Sequence, residues 1–434
     1  MKPPRQLRLN VNLLNSGAHP LAWRSPLGNP RACVELSHHL AVARLAERGC
    51  LDAVFLADQL SINAGIDETP GWGWLDPVAV VPAMAAVTER LGFILTASTT
   101  FGHPYAVART LSSLDHVTGG RIGLNLVTTM AEAAAANFGT AMPPASERYA
   151  RAAEFVAVME ALWHSWDADA FEPDPATGRF AVTGRVQPID HRGRHFTVRG
   201  PLQLPRSPQG RPLLVQAGGS DEGRALAAAT ADAVFSVAQD HAEAITFRDD
   251  IRARAVRHRR DPDDIAVLPG LITVIGDSDA AAQERLAALD ALEPPQRRLQ
   301  RFAARFGLDP DRLSLDRPVP DDLLEQVAAA GGSSGFRDAS LSLLRDRRLT
   351  VRDAIARGTA HQMLVGSPER IADRMQHWFE TGAADGFNVM CDIYPDGLEA
   401  FVDQVVPILQ ARGLFRREYV ADTLRGHYGG RAPV

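Results

Sequence analysis

FILTASTTFGHPYAVARTLSSLDHVTGGRIGLNLVTT, residues 93–129, contains a strand, a helix and a second strand in that order. Phe93 to Ala97 is an apolar run that opens into hydroxyls at Thr96, Ser98, Thr99 and Thr100. Pro104 starts a helical pattern with apolar residues at Val107, Leu111 and Leu114, and Gly119-Gly120 ends it, because glycine takes the left-handed cap at little cost. Ile122 to Val127 is a second apolar run, again ending in hydroxyls at Thr128 and Thr129. In parallel α/β folds ligands bind at the carboxyl ends of the strands, so these hydroxyls mark the working end.

The same rhythm extends in both directions. Leu7 to Leu14, Leu51 to Ala57, Pro212 to Ala217, Ala233 to Val237, part of Ile265 to Ile275, and Gly386 to Met390 read as strands. With the two above, the count is eight. LDAVFLA is nearly continuous in apolar residues, as a strand covered on both faces should be. Helical patterns run from about Val34 to Arg48, Pro77 to Leu91 (with Asp76 as N-cap) and Ser146 to Trp166. Others start near Arg224, Ala280, Ser367 (as N-cap) and Leu398. Two stretches break the alternation. Residues 168–210 contain HRGRHFTVRG, which reads as a small hairpin, and 293–348 are charged and proline-containing, with too few apolar residues for a core of their own. The expected fold class is α/β, a (β/α)8 TIM barrel with insertions at about 168–210 and 293–348, as one domain spanning 1–434. A doubly wound sheet is the competing architecture, and insertions on the strand-end side favour the barrel.

Composition narrows the function classes. The formal net charge of −6 provides no general field for nucleic acid or an anionic membrane. Cys33, Cys50 and Cys391 form no metal-type cluster, and an odd count fits a reduced compartment. The N-terminal MKPPRQLRLNVNLL lacks a secretory pattern, and no run of about 18 apolar residues suggests a membrane span. The expectation is a cytoplasmic enzyme, with no metal and no nucleic-acid or membrane partner.

Several residues stand out for chemistry. Asp58 ends a buried strand, where a carboxylate can hold a ligand or serve as a loop cap or ion-pair partner. Thr96, Ser98 and Thr99 cluster at one strand end, although threonine also favours strands. Asn125 sits mid-strand between Leu124 and Leu126, and a buried amide needs partners. In QAGGSDEGR, residues 216–224, two glycines permit close backbone approach and Ser220 stands at a helix start. That is a phosphate cradle, or an ordinary serine N-cap. His103 follows the strand-end hydroxyls and is expected to face the pocket as an acid, a base or a substrate donor. No GxGxxG or GxxxxGKS stands where a nucleotide site needs it. No nucleophile elbow, paired carboxylates or HExxH is visible, so the chemistry falls to a bound cofactor.

LDAVFLADQL, AAVTERLGFILTASTTFGHPYAVARTLSSLDHVTGGRIGLNLVTT, ERYARAAEFVAVMEALWHSW, HFTVRGPLQLPRSPQGRPLLVQAGGSDEGRALAAATADAVFS and GAADGFNVM together resemble the bacterial luciferase-like superfamily. Within it they resemble the nitrilotriacetate and dibenzothiophene-sulfone monooxygenase branch. The likeness runs from about Leu9 to about Leu424 and is weakest in 293–348. It implies a TIM barrel that binds FMN, a separate NAD(P)H-dependent flavin reductase that supplies the reduced flavin, and an oxygen adduct at C4a or N5 that oxygenates a small organic substrate. Carried over by motif, Asp58 matches the acidic FMN ligand, Thr96 the strand-3 threonine, Asn125 the strand-4 amide, Tyr149 the phosphate-side tyrosine and Ser220 the phosphate serine. The family's histidine four residues before that tyrosine is Ala145 here, so one flavin contact is missing or is replaced by Ser146 or Arg148. That departure keeps a flavin-degrading, riboflavin lyase-like relative as an alternative, beside a deazaflavin-using enzyme and a non-catalytic flavin-binding protein. The resemblance also implies a homo-oligomer.

Overall fold

A computed structural model describes residues 5–62, 65–71, 73–329, 340–357 and 361–430. The strands are β1 (Arg8–Asn12), β2 (Ala53–Leu56), β3 (Gly92–Ser98), β4 (Ile122–Val127), the short antiparallel pair β5 (His191–Arg192) and β6 (Thr197–Val198), β7 (Leu213–Ala217), β8 (Ala233–Ser236), β9 (Ala266–Ile275), β10 (Gln362–Gly366) and β11 (Gly386–Cys391). β1, β2, β3, β4, β7, β8, β9 and β11 pair in parallel in that order and β11 returns to β1. This is the eight-stranded closed barrel expected from the sequence.

The ninth strand of the sheet was not expected. β10 pairs with the later half of β9, Gln362↔Leu271 to Gly366↔Ile275, whereas β8 holds the earlier half, Ala233↔Ala266 to Ser236↔Pro269. Only Gly366 of β10 is buried. Such a half-covered strand carries no continuous apolar run to announce it.

Side chains alternate across the wall, as strand geometry requires. Ala53, Phe55, Ile94, Leu213, Val215, Ala233 and Leu268 face inward as one cluster. Leu9, Val11, Val54, Phe93, Leu95, Leu124, Leu126 and Leu214 face outward and join the main core with the helices. The inner cluster is closed from below by the chain's C-terminal segment. Leu424 packs into it, and a Cβ on Gly92 would lie 2.5 Å from a Leu424 methyl. Below it, the Tyr428 hydroxyl exchanges hydrogen bonds with Asn10 at 2.9 and 3.0 Å.

The flanking helices are α1 (Leu36–Arg48), α2 (Pro77–Ala85), α3 (Pro104–Val117), α4 (Glu132–Asn137), α5 (Ala145–Trp163), α6 (Asp221–Thr230), α7 (His241–Arg257) and α8 (Asp279–Asp290). α2 ends earlier than its apolar pattern, which ran to Leu91. Glu47 Oε1 accepts the backbone N–H groups of Glu89, Arg90 and Leu91 at 2.6–3.0 Å, so these residues form a turn on α1 instead of another helical turn.

The barrel's N-terminal end repeats one device three times. Asp52, Asp232 and Asp385 each stand just before a strand, and each accepts a backbone N–H from the neighbouring strand: Leu9, Leu214 and Val267, at 2.6, 2.8 and 3.0 Å. Each carboxylate also pairs with an arginine: Arg416, Arg211 and Arg248 respectively.

The segment from 168 to 210 is irregular apart from isolated bridges and the β5–β6 hairpin, as expected. The second insertion differs from its sequence reading, of which residues 330–339 lie outside the described residues. Its helices Pro295–Phe306, Asp321–Ala329 and Val351–Arg357 gather Leu299, Phe302, Leu323, Leu324, Leu344 and Val351 into a buried cluster separate from the barrel core. The apolar residues are spread thinly along the sequence but converge in space.

Candidate functional site

At the carboxyl ends of β2, β3 and β4 the polar residues form a chain. The Thr96 hydroxyl donates to the Leu56 carbonyl at 2.9 Å and accepts from the Asn125 amide at 3.0 Å. That leaves Asn125 Oδ1, buried inside the barrel wall, without a partner. An orphaned buried acceptor is costly unless a ligand donates to it. Further along the same two strands, the Thr129 hydroxyl donates to the Ser98 hydroxyl at 2.8 Å, which ties the end of β3 to the loop after β4.

Asp58 lies just past β2, half-buried, with the Gln59 N–H donating to Oδ1 at 2.8 Å. Burial pushes its carboxyl up to about 6; the Gln59 N–H opposes the rise and Asp76 adds to it. It forms no ion pair among the described residues. A half-buried carboxylate without a cation at a strand end is a candidate ligand group.

Ser220 is the helix N-cap that the sequence offered as one of its two readings. Its Oγ accepts the Gly223 N–H at 3.0 Å, which makes it the N-cap of α6, and its hydroxyl donates to the Tyr149 hydroxyl at 3.0 Å. Tyr149 comes from the first turns of α5. The two hydroxyls, the two glycines and the positive end of α6 therefore converge on one spot. A Cβ on Gly218 would lie 2.6 Å from the Gln216 amide, so a side chain there would have to displace that amide.

His103 departs from expectation. It is exposed, and its Nδ1 accepts the Tyr105 N–H at 3.3 Å as the N-cap of α3. Its ring stands edge-on to Phe196 at 5.9 Å. The helix that opens at Pro104 needs an acceptor for its free N–H groups, and the histidine's Nδ1 supplies it. Of the two candidates to replace the missing histidine, Ser146 is exposed, whereas Arg148 is 8% exposed, donates to the Pro143 carbonyl at 2.6 Å and keeps a buried Nε without a partner.

Two residues absent from the sequence reading also reach the mouth. Asn12, at the end of β1, buries an unpaired Oδ1. His361, just before β10, stacks on the inward-facing Phe235 at 5.2 Å. The signal for His361 was Gly270 within β9, since an interior strand glycine often marks a close approach, and a Cβ there would collide with the His361 ring. A separate surface cleft of about 340 Å³ is lined by His116, Asp167, Phe171 and Arg206 near the far end of α3, and contains none of these residues. Among the described residues no helix is long and apolar enough to cross a membrane, and no group of His, Cys, Asp or Glu is placed to hold a metal ion.

A parallel barrel with its polar groups gathered at the strand ends defines a cofactor-binding (β/α)8 enzyme. The luciferase-like monooxygenase family matches residues 18–385, and the chain belongs to it. It is 41% identical to N-acetyl-S-(2-succino)cysteine monooxygenase of Bacillus subtilis (strain 168), covering 99% of this chain and 98% of that one. It is 37% identical to nitrilotriacetate monooxygenase component A of Aminobacter aminovorans, covering 98% and 96%. Among solved structures it superposes on a riboflavin lyase, determined with modified FMN and substrate riboflavin, with a TM-score of 0.86 at 30% identity, covering 99% and 97%. The named relatives of this branch support an oxidoreductase that incorporates oxygen.

Proposed function

We propose that this protein is the oxygenating component of a two-component monooxygenase, which takes reduced FMN from a separate NAD(P)H-dependent flavin reductase and uses O2 to oxygenate a small organic substrate. The observation that carries the flavin assignment is the Ser220–Tyr149 hydroxyl pair at the start of α6, 3.0 Å apart beside two glycines, which fits a phosphomonoester dianion. Arg148, with its unpaired buried Nε, stands in for the family's histidine on that side. Asn125 Oδ1 accepts a ring N–H, and Asp58 and Thr96 fix the orientation of the ring. Bound reduced flavin supplies the activation of O2, while the protein binds, orients and shields it from water. A subunit named component A and the absence of a nucleotide fingerprint both favour delivery of reduced flavin by a partner. The same reading places the enzyme in the cytoplasm, beside an NAD(P)H pool, as a homo-oligomer.

Oxygen uptake tests the reading. With FMN, NADH and a flavin reductase, the protein should consume O2 and oxygenate a branch substrate while FMN is returned intact. Without the reductase, NAD(P)H should not be oxidised at a useful rate. Cleavage of the isoalloxazine ring would make flavin the substrate, as in the riboflavin lyase it resembles. Light scattering that returns about 47 kDa at all concentrations would reject the oligomer.

A further inference from the structure

Two features that stand out in the sequence, the HRGRHFTVRG hairpin and the histidine before Pro104, have no place in the flavin reading. The structure joins both to α5, the helix that carries Tyr149. Glu154 Oε1 accepts from His191 Nε2 at 3.0 Å and from the Phe196 N–H at 2.9 Å, and its Oε2 accepts the His195 N–H at 3.0 Å. A Cβ on Gly193 would collide with Glu154 Oε1, so the hairpin needs glycine there. Two turns earlier on α5, Glu147 accepts from Arg194 at 2.8 Å. These bonds seat the Phe196 ring, 5% exposed, against Phe155 at 5.7 Å and His103 at 5.9 Å.

Arg151 extends from the same helix toward β3. Its guanidinium carbon lies 4.3 Å from the centre of the Phe196 ring. Nε donates to the Thr99 carbonyl at 3.1 Å and Nη2 to the Gly102 carbonyl at 3.2 Å. Both carbonyls belong to the turn that follows β3. The Gly102 N–H closes that turn on the Ser98 carbonyl at 3.0 Å, and a Cβ on Gly102 would lie 2.5 Å from the same oxygen. Thr99 is fixed to β4, its N–H donating to the Val127 carbonyl at 2.9 Å. Arg151 thus spans two parts of the candidate site. At one end it is two residues from Tyr149; at the other it holds the turn that starts three residues after Thr96.

We propose that Arg151 is a positioning residue of the flavin site. It ties the start of α5, with the Tyr149 hydroxyl, to the end of β3, with Thr96, and so fixes the spacing between the phosphate end and the ring end. Glu154 and the hairpin hold Phe196 against the guanidinium and restrict its course. A planar fork reaching two carbonyls sets distance and direction together, which a single ammonium does not. This rests on the flavin reading, which assigns the two ends to phosphate and ring.

Fluorescence titration with FMN and with riboflavin, which has the same ring without the phosphate, tests this. Arg151→Met keeps an unbranched side chain against Phe196 but loses both donors. It should weaken FMN about tenfold and riboflavin by less than about twofold, because only the phosphate end is displaced. Arg151→Lys keeps the charge without the fork and should lose FMN affinity nearly as far. Tyr149→Phe should weaken FMN in wild type but add less than about twofold in the Arg151→Met background, where its contact is already lost. Phe196→Leu, which leaves Arg151 and both carbonyls in place, should give a smaller loss with the same preference, and it serves where Arg151→Met does not fold. Unchanged FMN affinity in the folded variant overturns the proposal. So do equal losses for FMN and riboflavin, full affinity in Arg151→Lys, or independent effects of Arg151→Met and Tyr149→Phe. A wild type that takes up no flavin is instead the failure of the flavin reading, and this proposal falls with it.

Discussion

Asp58 past one end of this barrel and two aspartates before the strands at the other end are treated in opposite ways. At the N-terminal end, burial acts to raise the pKa of Asp232 and of Asp385, but Arg211 and Arg248 respectively reverse it, and both fall below the ordinary carboxylate value. Both also accept a backbone N–H across the sheet. At the C-terminal end Asp58 has no cation, and burial carries it up to about 6. The first pair is self-contained; Asp58, and Asn125 Oδ1, also at the strand ends, are left without such partners among the described residues. This is the division of labour expected of a parallel barrel, where the bottom face holds the fold and the strand ends hold the chemistry.

The largest expected effect breaks the stable end. Asp385→Ala should strand Arg248 in a buried site and leave the Val267 N–H unmet, at a cost of about 3–5 kcal/mol. Thermal unfolding should show the loss, with FMN affinity unchanged at temperatures where the variant is folded. A variant as stable as wild type would mean the two ends are not distinguished by pairing.

Ser220→Ala removes a hydroxyl donor to a charged group, about 1.5–3 kcal/mol, so flavin fluorescence should report a dissociation constant about tenfold or more higher. The lost N-cap should also lower stability by about 1 kcal/mol. Equal flavin affinity would remove the phosphate from this spot.

Ala145→His restores the family's donor at the first, exposed residue of α5. Wild type should purify largely colourless, and the variant should bind FMN more tightly by about 1 kcal/mol. Wild type that purifies yellow with stoichiometric FMN would show that Arg148 already compensates.

The smallest effect sharpens the comparison through pH. The folded pKa of Asp58 lies above its unfolded value, so folding favours the protonated form. The resulting cost to stability is absent below the unfolded pKa near 4 and complete above the folded value of about 6. Asp58→Asn should therefore raise the apo-protein's melting temperature slightly at pH 8 and not at pH 4, while weakening FMN binding. A melting temperature lowered at pH 8 would show Asp58 to be structural.

Much of the candidate site was legible. Asp58, Thr96, Asn125 and Ser220 could be named because strand ends, glycine turns and helix starts are local signals; Tyr149 came only from the family resemblance, and the fold brings its hydroxyl to Ser220. Thr96 and Asn125 were visible singly, but only strand register makes one donate to the other and leaves Oδ1 bare. For His103 the proline at the first helical position predicts the helix, and only the structure shows that the histidine is also its cap.

The sequence by itself determined the alternation of strands and helices and the end at which the strand-end polar residues gather, because each is written within about ten consecutive positions of apolar period, cap and turn. Tertiary structure alone decided the rest. It placed β10 beside β9, drew Leu424 and Tyr428 under the barrel, gave three aspartates three arginines from distant segments, and stacked His361 on Phe235. These contacts join residues tens to hundreds of positions apart. Their partners are selected by packing and by the need to pair buried charge and hydrogen-bonding groups, and neither is expressed in any local pattern.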